Sequence, residues 1–251
     1  IIDQVAGCAG IDRIVFATSD LAEDTPLAEL AAQEGLAVYR GYPEDVLTRL
    51  GETARLFGFD RILTTVIDCP FQLGAVIDET LVKLVQEKYD MVRSYPGQPN
   101  GTDCFGLSRE ALERAIAVKQ ARNTECWAGY FTDTGMFRCA QVNLFAAYPE
   151  LQGYRLTIDY PEDRVFCEAV YRELTERGER PFSLEALITV LQKPAHLALL
   201  EKMRRCSLCW EGHFTRCASD VERAVARIVA APAVILTVSA RPISSTLTSS
   251  T

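Results

Sequence analysis

The run Ile62-Leu63-Thr64-Thr65-Val66-Ile67-Asp68-Cys69-Pro70 constrains this chain more than any other stretch. It is almost continuously apolar or β-branched and too short for an ordinary helix. It therefore reads as a strand buried on both faces, in the middle of a parallel sheet. The run stops at an acid followed by a proline, and proline cannot donate to a sheet ladder. That places the Asp68 carboxylate at the carboxyl end of a central strand, the edge where open α/β sheets hold their ligands. A buried charge there is costly unless it is paired or bound to a cation. Asp68 is thus a candidate metal ligand. The competing reading is an acid that caps the next helix, near Gln72 to Val76, and spacing alone does not choose between them.

The rest of the first hundred residues keeps the same rhythm. Strands are expected at 11–18, 36–40 and 90–95 beside the central one. Helices are expected at 26–34, from Tyr42-Pro43-Glu44-Asp45 to about 57, and at 73–88, with Gly35 and Gly58 closing the first two. Strands alternating with helices predict a doubly wound, mostly parallel sheet.

Beyond Tyr95 the pattern loosens. A turn-rich loop at 96–101 precedes a short strand at 104–107 and a helix from 109 to about 118, N-capped by Ser108. A helical segment is expected at 123–131 and strands at 136–144 and 155–158. A helix at 161–178 follows, with Pro161 in its first turn and Glu162 and Asp163 complementing its dipole. Two more helices are expected at 183–191 and 194–205. The expected organisation is an α/β domain over 1–180, a helical extension over 181–229 and a tail over 230–251. The tail is rich in Pro, Ala, Ser and Thr, has no amphipathic period and is expected to be poorly ordered.

Composition narrows the function classes. The net charge of −8 argues against a general nucleic-acid binder. An acidic protein that handles an anionic nucleotide needs a local cation, either a metal or a few arginines. Nine cysteines, odd in number and scattered among apolar runs, suggest reduced thiols in a cytoplasmic protein rather than a disulfide framework. No signal-peptide pattern opens the sequence. The longest apolar run, 229–240, contains Pro232 and falls short of the roughly 20 residues that a membrane-spanning helix needs.

A second acid repeats the logic of the first. In Thr157-Ile158-Asp159-Tyr160-Pro161-Glu162-Asp163 an extended apolar run again ends in an acid and a proline. In a parallel sheet both carboxylates emerge on one edge. Two carboxylates suit Mg²⁺, which takes one or two protein oxygens and completes its shell with phosphates and water. Such a metal bridges phosphate oxygens during displacement at phosphorus. The alternative for Asp159 is a cap on the helix that follows. Cys206, Cys209, His213 and Cys217 look like a zinc knuckle, but the last two gaps are each one residue short. The segment also has few turn formers, which favours a helix with chance cysteines.

Five stretches together resemble a known family: IDRIVFATSD, GYPEDVLTRL, TTVIDCPF, GTDCFGLSREALERA and LTIDYPEDRVF, in that order over about residues 1–180. They are similar to the cytidylyltransferases that make CMP-activated sugar acids, such as CMP-sialic acid and CMP-Kdo, and most to the branch of spore coat polysaccharide biosynthesis protein F. The resemblance implies a Rossmann-like three-layer α/β sandwich, commonly a homodimer. It also implies attack of a sugar hydroxyl on the α-phosphorus of CTP with release of pyrophosphate and help from Mg²⁺.

On the same resemblance Asp68 and Asp159 stand where the family places its metal-binding acids. Asp45 and Arg49 stand in the segment that approaches the nucleotide, and Asp103 and Glu125 near the sugar. For Asp45 the alternative is a helix N-terminal charge, for Arg49 a solvated face and for Asp103 a solvated loop acid. The family opens with a strand and a basic glycine-bearing loop of the type ARxxSxRLPGK, which nothing in these 251 residues matches. The resemblance therefore implies a chain without that N-terminal nucleotide-binding segment. Thr64 and Val66 stand where the family often has an arginine and a threonine before Asp-Cys-Pro. Two other readings share the strand-end acids: a glycosyltransferase that uses a nucleotide-sugar, and an inactive remnant.

Overall fold

The computed structural model describes residues 1–119, 121–152, 154–203 and 235–240. Seven strands form one sheet: β1 (Ile11–Thr18), β2 (Ala37–Arg40), β3 (Arg61–Val66), β4 (Met91–Ser94), β5 (Phe105–Ser108), β6 (Cys139–Val142) and β7 (Ile235–Ala240). Their order across the sheet is β2-β1-β7-β3-β5-β4-β6. The pairs β1–β2 and β4–β6 are parallel, whereas β7 runs against both β1 and β3, and β5 runs against both β3 and β4. Five strands therefore point one way and two the other.

Eight helices are named: α1 (Ile2–Ala6), α2 (Thr25–Gln33), α3 (Val46–Phe57), α4 (Gly74–Val85), α5 (Arg109–Val118), α6 (Gly129–Thr132), α7 (Pro161–Glu176) and α8 (Leu184–Leu191). Residues 194–203 are helical as well.

Successive side chains of a strand point to opposite faces, and the central strands are apolar on both. Ile62, Met91, Leu107 and Val15 pack under α3 and α5. Their neighbours Leu63 and Val92 pack on the other face against α4, α7 and α8. Phe16 packs with Ala31 of α2. The result is the expected three-layer sandwich, and it explains why β3 reads as an unbroken apolar run rather than an alternating one. Each such Leu or Ile side chain, removed wholly from water, contributes about 1.5–3 kcal/mol. Local signals set the helix ends: Ser108 accepts from Ala111 N–H at 3.2 Å, Ser183 accepts from Ala186 N–H at 3.1 Å, and Gly58 ends α3 in the left-handed region at φ 72°.

Several expectations need correction. Residues 155–158 do not form a strand; only Arg155 makes an isolated parallel bridge, to Asn100. Their amides are spent on loops instead, Leu156 N–H on Asn100 O at 2.7 Å and Ile158 N–H on Asp68 O at 2.8 Å. The helix expected at 123–131 shrinks to the four residues of α6. Thr124 is the reason, because its N–H bonds Glu44 O and its hydroxyl bonds Leu47 N–H and Asp45, competing with helical bonds.

The tail expected to be poorly ordered contributes β7 to the middle of the sheet. Lack of a helical period does not exclude a strand, and without β7 the facing edges of β1 and β3 would leave interior backbone groups unpaired. The cysteine-rich stretch at 206–217 and the rest of the helical extension to 229 lie outside the described residues.

Candidate active site at the carboxyl edge of the sheet

Three acids meet beyond the carboxyl end of β3. The chain leaves β3 at Val66 and turns, with Cys69 N–H returning to Val66 O at 3.3 Å, so that Asp68 stands just past the strand. Next to it β5 begins, and Asp103, two residues before its entry, is held in place because Thr65 Oγ1 donates to Asp103 O at 3.3 Å. The third acid arrives from the far end of the sequence. Asn100 N–H donates to Tyr154 O at 3.0 Å and Leu156 N–H donates back to Asn100 O, zipping 154–157 onto the loop that leads to Asp103. The Ile158 bond to Asp68 O then fixes Asp159 beside β3.

Gly101 makes this zipper possible. Its φ is +98°, and a Cβ there would lie 2.7 Å from the Leu156 carbonyl carbon. Its N–H also donates to Asp103 Oδ2 at 3.2 Å. Gly101→Ala is expected to cost about 3 kcal/mol in urea-induced unfolding, from a strained backbone angle and the separation of two loops. A loss below about 1 kcal/mol would contradict the zipper.

The electrostatics of the three carboxylates differ. Burial is the main cause that holds the Asp68 carboxyl above its ordinary value. A hydrogen bond from the Cys69 thiol at 3.5 Å opposes that shift, and the charge of Asp159 adds to it. Asp103 is likewise raised, first by burial; the Gly101 N–H and Arg93 work against the shift, and Asp68 works with it. The buried Cys69 thiol is pushed well up by burial and then by Asp68, Asp103 and Asp159, so one sulfur senses all three acids.

Asp159 has a cationic partner instead. Its Oδ2 accepts from Arg155 Nη1 at 2.5 Å and from the Thr157 hydroxyl at 2.5 Å. Arg155 is only 5% exposed and also grips Asp163, with bonds of 2.5 and 2.7 Å. Asp163 in turn accepts the N–H groups of Asp159 and Tyr160, each at 2.9 Å, at the entry to α7.

Among the described residues, no set of three or more His, Cys, Asp or Glu side chains could hold a metal by itself. Asp68 and Asp159, two carboxylates whose charges repel, are nevertheless hard oxygen donors suited to Mg²⁺. That ion would take its remaining oxygens from phosphate and water.

The other expected site residues are placed differently. Asp45 is the N-cap of α3. It accepts from Thr48 N–H at 3.1 Å, from Thr48 Oγ1 at 2.7 Å and from Thr124 Oγ1 at 2.9 Å, and it pairs with Lys119. Burial pushes its carboxyl up, but the bonds from Lys119, Thr48 and Thr124 together hold it below the ordinary value. Asp45→Ala is therefore expected to cost about 2 kcal/mol in chemical denaturation, through a lost cap and a half-buried Lys119 left without its acid. An unchanged midpoint would contradict that role.

Arg49 does not lie on a solvated face: it is 0% exposed and donates to Tyr42 O at 2.8 Å and Pro43 O at 3.1 Å. It thereby ties the loop before α3 to that helix. Glu125 is exposed, with its N–H accepted by the Asn123 side chain at 3.0 Å. Among the described residues, no hydrogen bond or ion pair joins Asp45, Arg49 or Glu125 to the three acids.

No protein-family profile matches the chain. Among curated proteins, it is 26% identical over 170 residues to an uncharacterized protein of Methanocaldococcus jannaschii, a match covering 65% of this chain and 67% of that one. It is 28% identical over 190 residues to the spore coat polysaccharide biosynthesis protein SpsF of Bacillus subtilis, covering 72% of this chain and 75% of SpsF. Its fold is similar to that of a cytidylyltransferase from Leptospira borgpetersenii serovar Hardjo-bovis. The TM-score is 0.63 at 21% identity, over 74% of this chain and 77% of that one. The chain is thus similar in sequence to SpsF and in fold to a cytidylyltransferase.

Several residues of this candidate site were not singled out from sequence. Arg155 looked like a strand arginine and Thr157 like strand filling, while Asp163 was read only as a dipole charge. A second group lies at the end of β1, where the buried Asp24 carboxylate accepts from Thr18 Oγ1 at 2.6 Å, Ser19 Oγ at 2.5 Å and Ser19 N–H at 3.0 Å.

Proposed function

We propose that this chain is a nucleotidyltransferase of polysaccharide biosynthesis that transfers CMP from CTP to the hydroxyl of a sugar acid or a related precursor, with Mg²⁺. The observation that carries the reading is the meeting of Asp68, Asp103 and Asp159 at the carboxyl edge of the sheet. The similarity to SpsF supports a polysaccharide precursor as the acceptor, and the shared fold supports nucleotide chemistry.

In this reading Asp68 and Asp159 hold the metal. A divalent cation held by these two residues would supply neutralisation of the charge that develops on the phosphate oxygens and the leaving pyrophosphate. Arg155 and Asp163 hold Asp159 in a fixed orientation. Asp103, poised by burial toward a higher proton affinity, accepts the proton of the attacking hydroxyl. The crowding of like charges at this edge disfavours the metal-free state and so favours binding of the metal–nucleotide complex.

The test is pyrophosphate release from CTP with N-acetylneuraminic acid or 3-deoxy-D-manno-octulosonic acid as acceptor, alongside a thermal-shift panel of nucleotides and nucleotide-sugars. The reading predicts Mg²⁺-dependent release and a larger shift with CTP than with UDP- or GDP-sugars. A preference for a nucleotide-sugar would point to glycosyl transfer, and no response to any nucleotide would leave a scaffold.

A further inference from the structure

Tyr42 is held in a backbone conformation that its sequence resists. Its φ is +32°, in the left-handed region. That region is uncommon for any side chain and an outlier for a bulky one. The next residue is Pro43, and a residue before proline is pushed toward extended angles. The conformation persists because Arg49, 0% exposed, donates to Tyr42 O at 2.8 Å and to Pro43 O at 3.1 Å. Just before the turn, Gly41 N–H bonds Thr18 O at 3.0 Å, and a Cβ on Gly41 would lie 2.9 Å from the Tyr39 hydroxyl. Yet Tyr42 itself is 48% exposed. The fold thus uses a fully buried arginine to present an aromatic residue to solvent. Strained residues of this kind gather at ligand sites.

Sheet register locates the residue. Tyr39 pairs with Ala17, Ala17 with Ile235 and Ile235 with Val66, so these four form one row across β2, β1, β7 and β3. Tyr42 lies three residues beyond that row and Asp68 two, both at the carboxyl edge. Three strand spacings of about 4.8 Å put them about 14 Å apart along that edge. A nucleotide spans such a gap with its base at one end and its phosphates at the other.

The surroundings of Tyr42 suit the base end. Glu44 and Asp45 follow it, and two acids disfavour a phosphate there. The carbonyls of the loop are engaged, those of Tyr42 and Pro43 by Arg49 and that of Glu44 by Thr124 N–H at 2.9 Å. What remains is a π face, and every nucleobase stacks on one. On the neighbouring loop Leu21 is 45% exposed, and Arg40 ties the two loops by donating to Leu21 O at 2.6 Å and to Ser19 O at 3.1 Å.

We propose that Tyr42 is the platform on which the base of the bound nucleotide stacks, fixed in place by Arg49. The inference rests on the nucleotidyl-transfer reading for the class of ligand. Stacking does not read hydrogen-bond donors and acceptors. Tyr42 therefore supplies affinity for pyrimidine nucleotides in general and leaves the choice of cytosine to other groups.

Calorimetry on the full chain tests this with CTP, UTP and cytidine, and with Mg²⁺-pyrophosphate as a ligand that has no base. Tyr42→Asn removes the ring and installs a residue that tolerates positive φ. It is expected to weaken CTP, UTP and cytidine at least tenfold, to leave pyrophosphate within twofold and to melt no lower than wild type. Tyr42→Phe keeps the ring and is expected to hold CTP within threefold of wild type.

CTP binding that Tyr42→Asn leaves unchanged would overturn the platform and leave nucleotidyl transfer standing. An equal loss for pyrophosphate, or an asparagine variant that melts several degrees lower, would overturn it too, since the ring would then act through the fold. So would a phenylalanine variant as weak as the asparagine one, which would make the hydroxyl the contact. Nucleotide binding with the stated losses but no pyrophosphate release with either acceptor would keep the platform and sink the transfer reading. No binding of any nucleotide would sink both.

Discussion

Arg155→Met is expected to destabilise the protein by about 3–5 kcal/mol, the range found when one partner of a buried ion pair is removed. Arg155 is 5% exposed and Asp163 1% exposed, so water cannot replace what is lost. The substitution leaves Asp163 with a desolvated charge and takes from Asp159 its only cationic partner among the described residues. Asp163 still accepts the Asp159 and Tyr160 N–H groups, which is why the expected loss is not larger. Arg155→Lys keeps a positive charge but not the two-pronged grip on Asp163, and should cost about half as much. Urea unfolding of the three proteins gives the order directly. Equal stability of the wild type and the methionine variant would mean that the pair is solvated and that Asp159 is held by something else.

Asp68→Asn is expected to split activity from stability. On the proposed chemistry it should lower transfer about 10³-fold, equivalent to about 4 kcal/mol of transition-state stabilisation. The metal-free protein should nevertheless melt at a higher temperature, because the substitution removes a half-buried carboxylate that has no cationic partner among the described residues and faces Asp159. Functional acids commonly carry such a penalty.

The pH dependence follows from the sign of the shift. A carboxyl whose folded pKa lies above its unfolded value of about 4 binds its proton better in the fold, so its contribution to stability fades as pH rises from about 4 through the raised pKa. Asp103 is raised too and acts in the same direction. Metal-free wild type is therefore expected to lose melting temperature as pH climbs through that window, with Asp68→Asn losing less. Saturating Mg²⁺ should restore wild type at neutral pH and leave the variant nearly unmoved. A variant that melts lower than wild type without metal would show that the Asp68 charge is satisfied within the fold.

The layered fold was legible in the sequence because its central strands are apolar on both faces and its helices carry their own stops. Ile62 and Leu63 face opposite sides, and either alone would have left an alternating pattern open to several sheet types. Less legible was everything fixed by pairing between segments distant along the chain. The extended character of 155–158 was visible, but not that its partners would be a loop at Asn100 and the turn at Asp68 rather than a strand. Thr124 reads as a helix residue, but its N–H goes to Glu44 in the loop before α3 and its hydroxyl to Leu47 in the first turn of α3.

The site divided along the same line. Asp68 is legible as a candidate because it ends a strand. Arg155 could not, since a buried arginine with two acids spells the same as a solvated one. Asp45 and Arg49 stood in a matching stretch, and the fold uses both to build the start of α3. The reversed β5 and β7 were invisible to a pattern of alternating strands and helices, because strand direction leaves no mark on local periodicity.

The central claim is that Asp68 and Asp159 hold one divalent ion between them. Anomalous diffraction from crystals grown with Mn²⁺ and a non-hydrolysable CTP analogue would test it most directly. The account predicts a single strong peak within coordination distance of a carboxylate oxygen from each residue, absent in Asp68→Asn. A peak bound by neither acid, or electron density for the nucleotide at the opposite edge of the sheet, would contradict it.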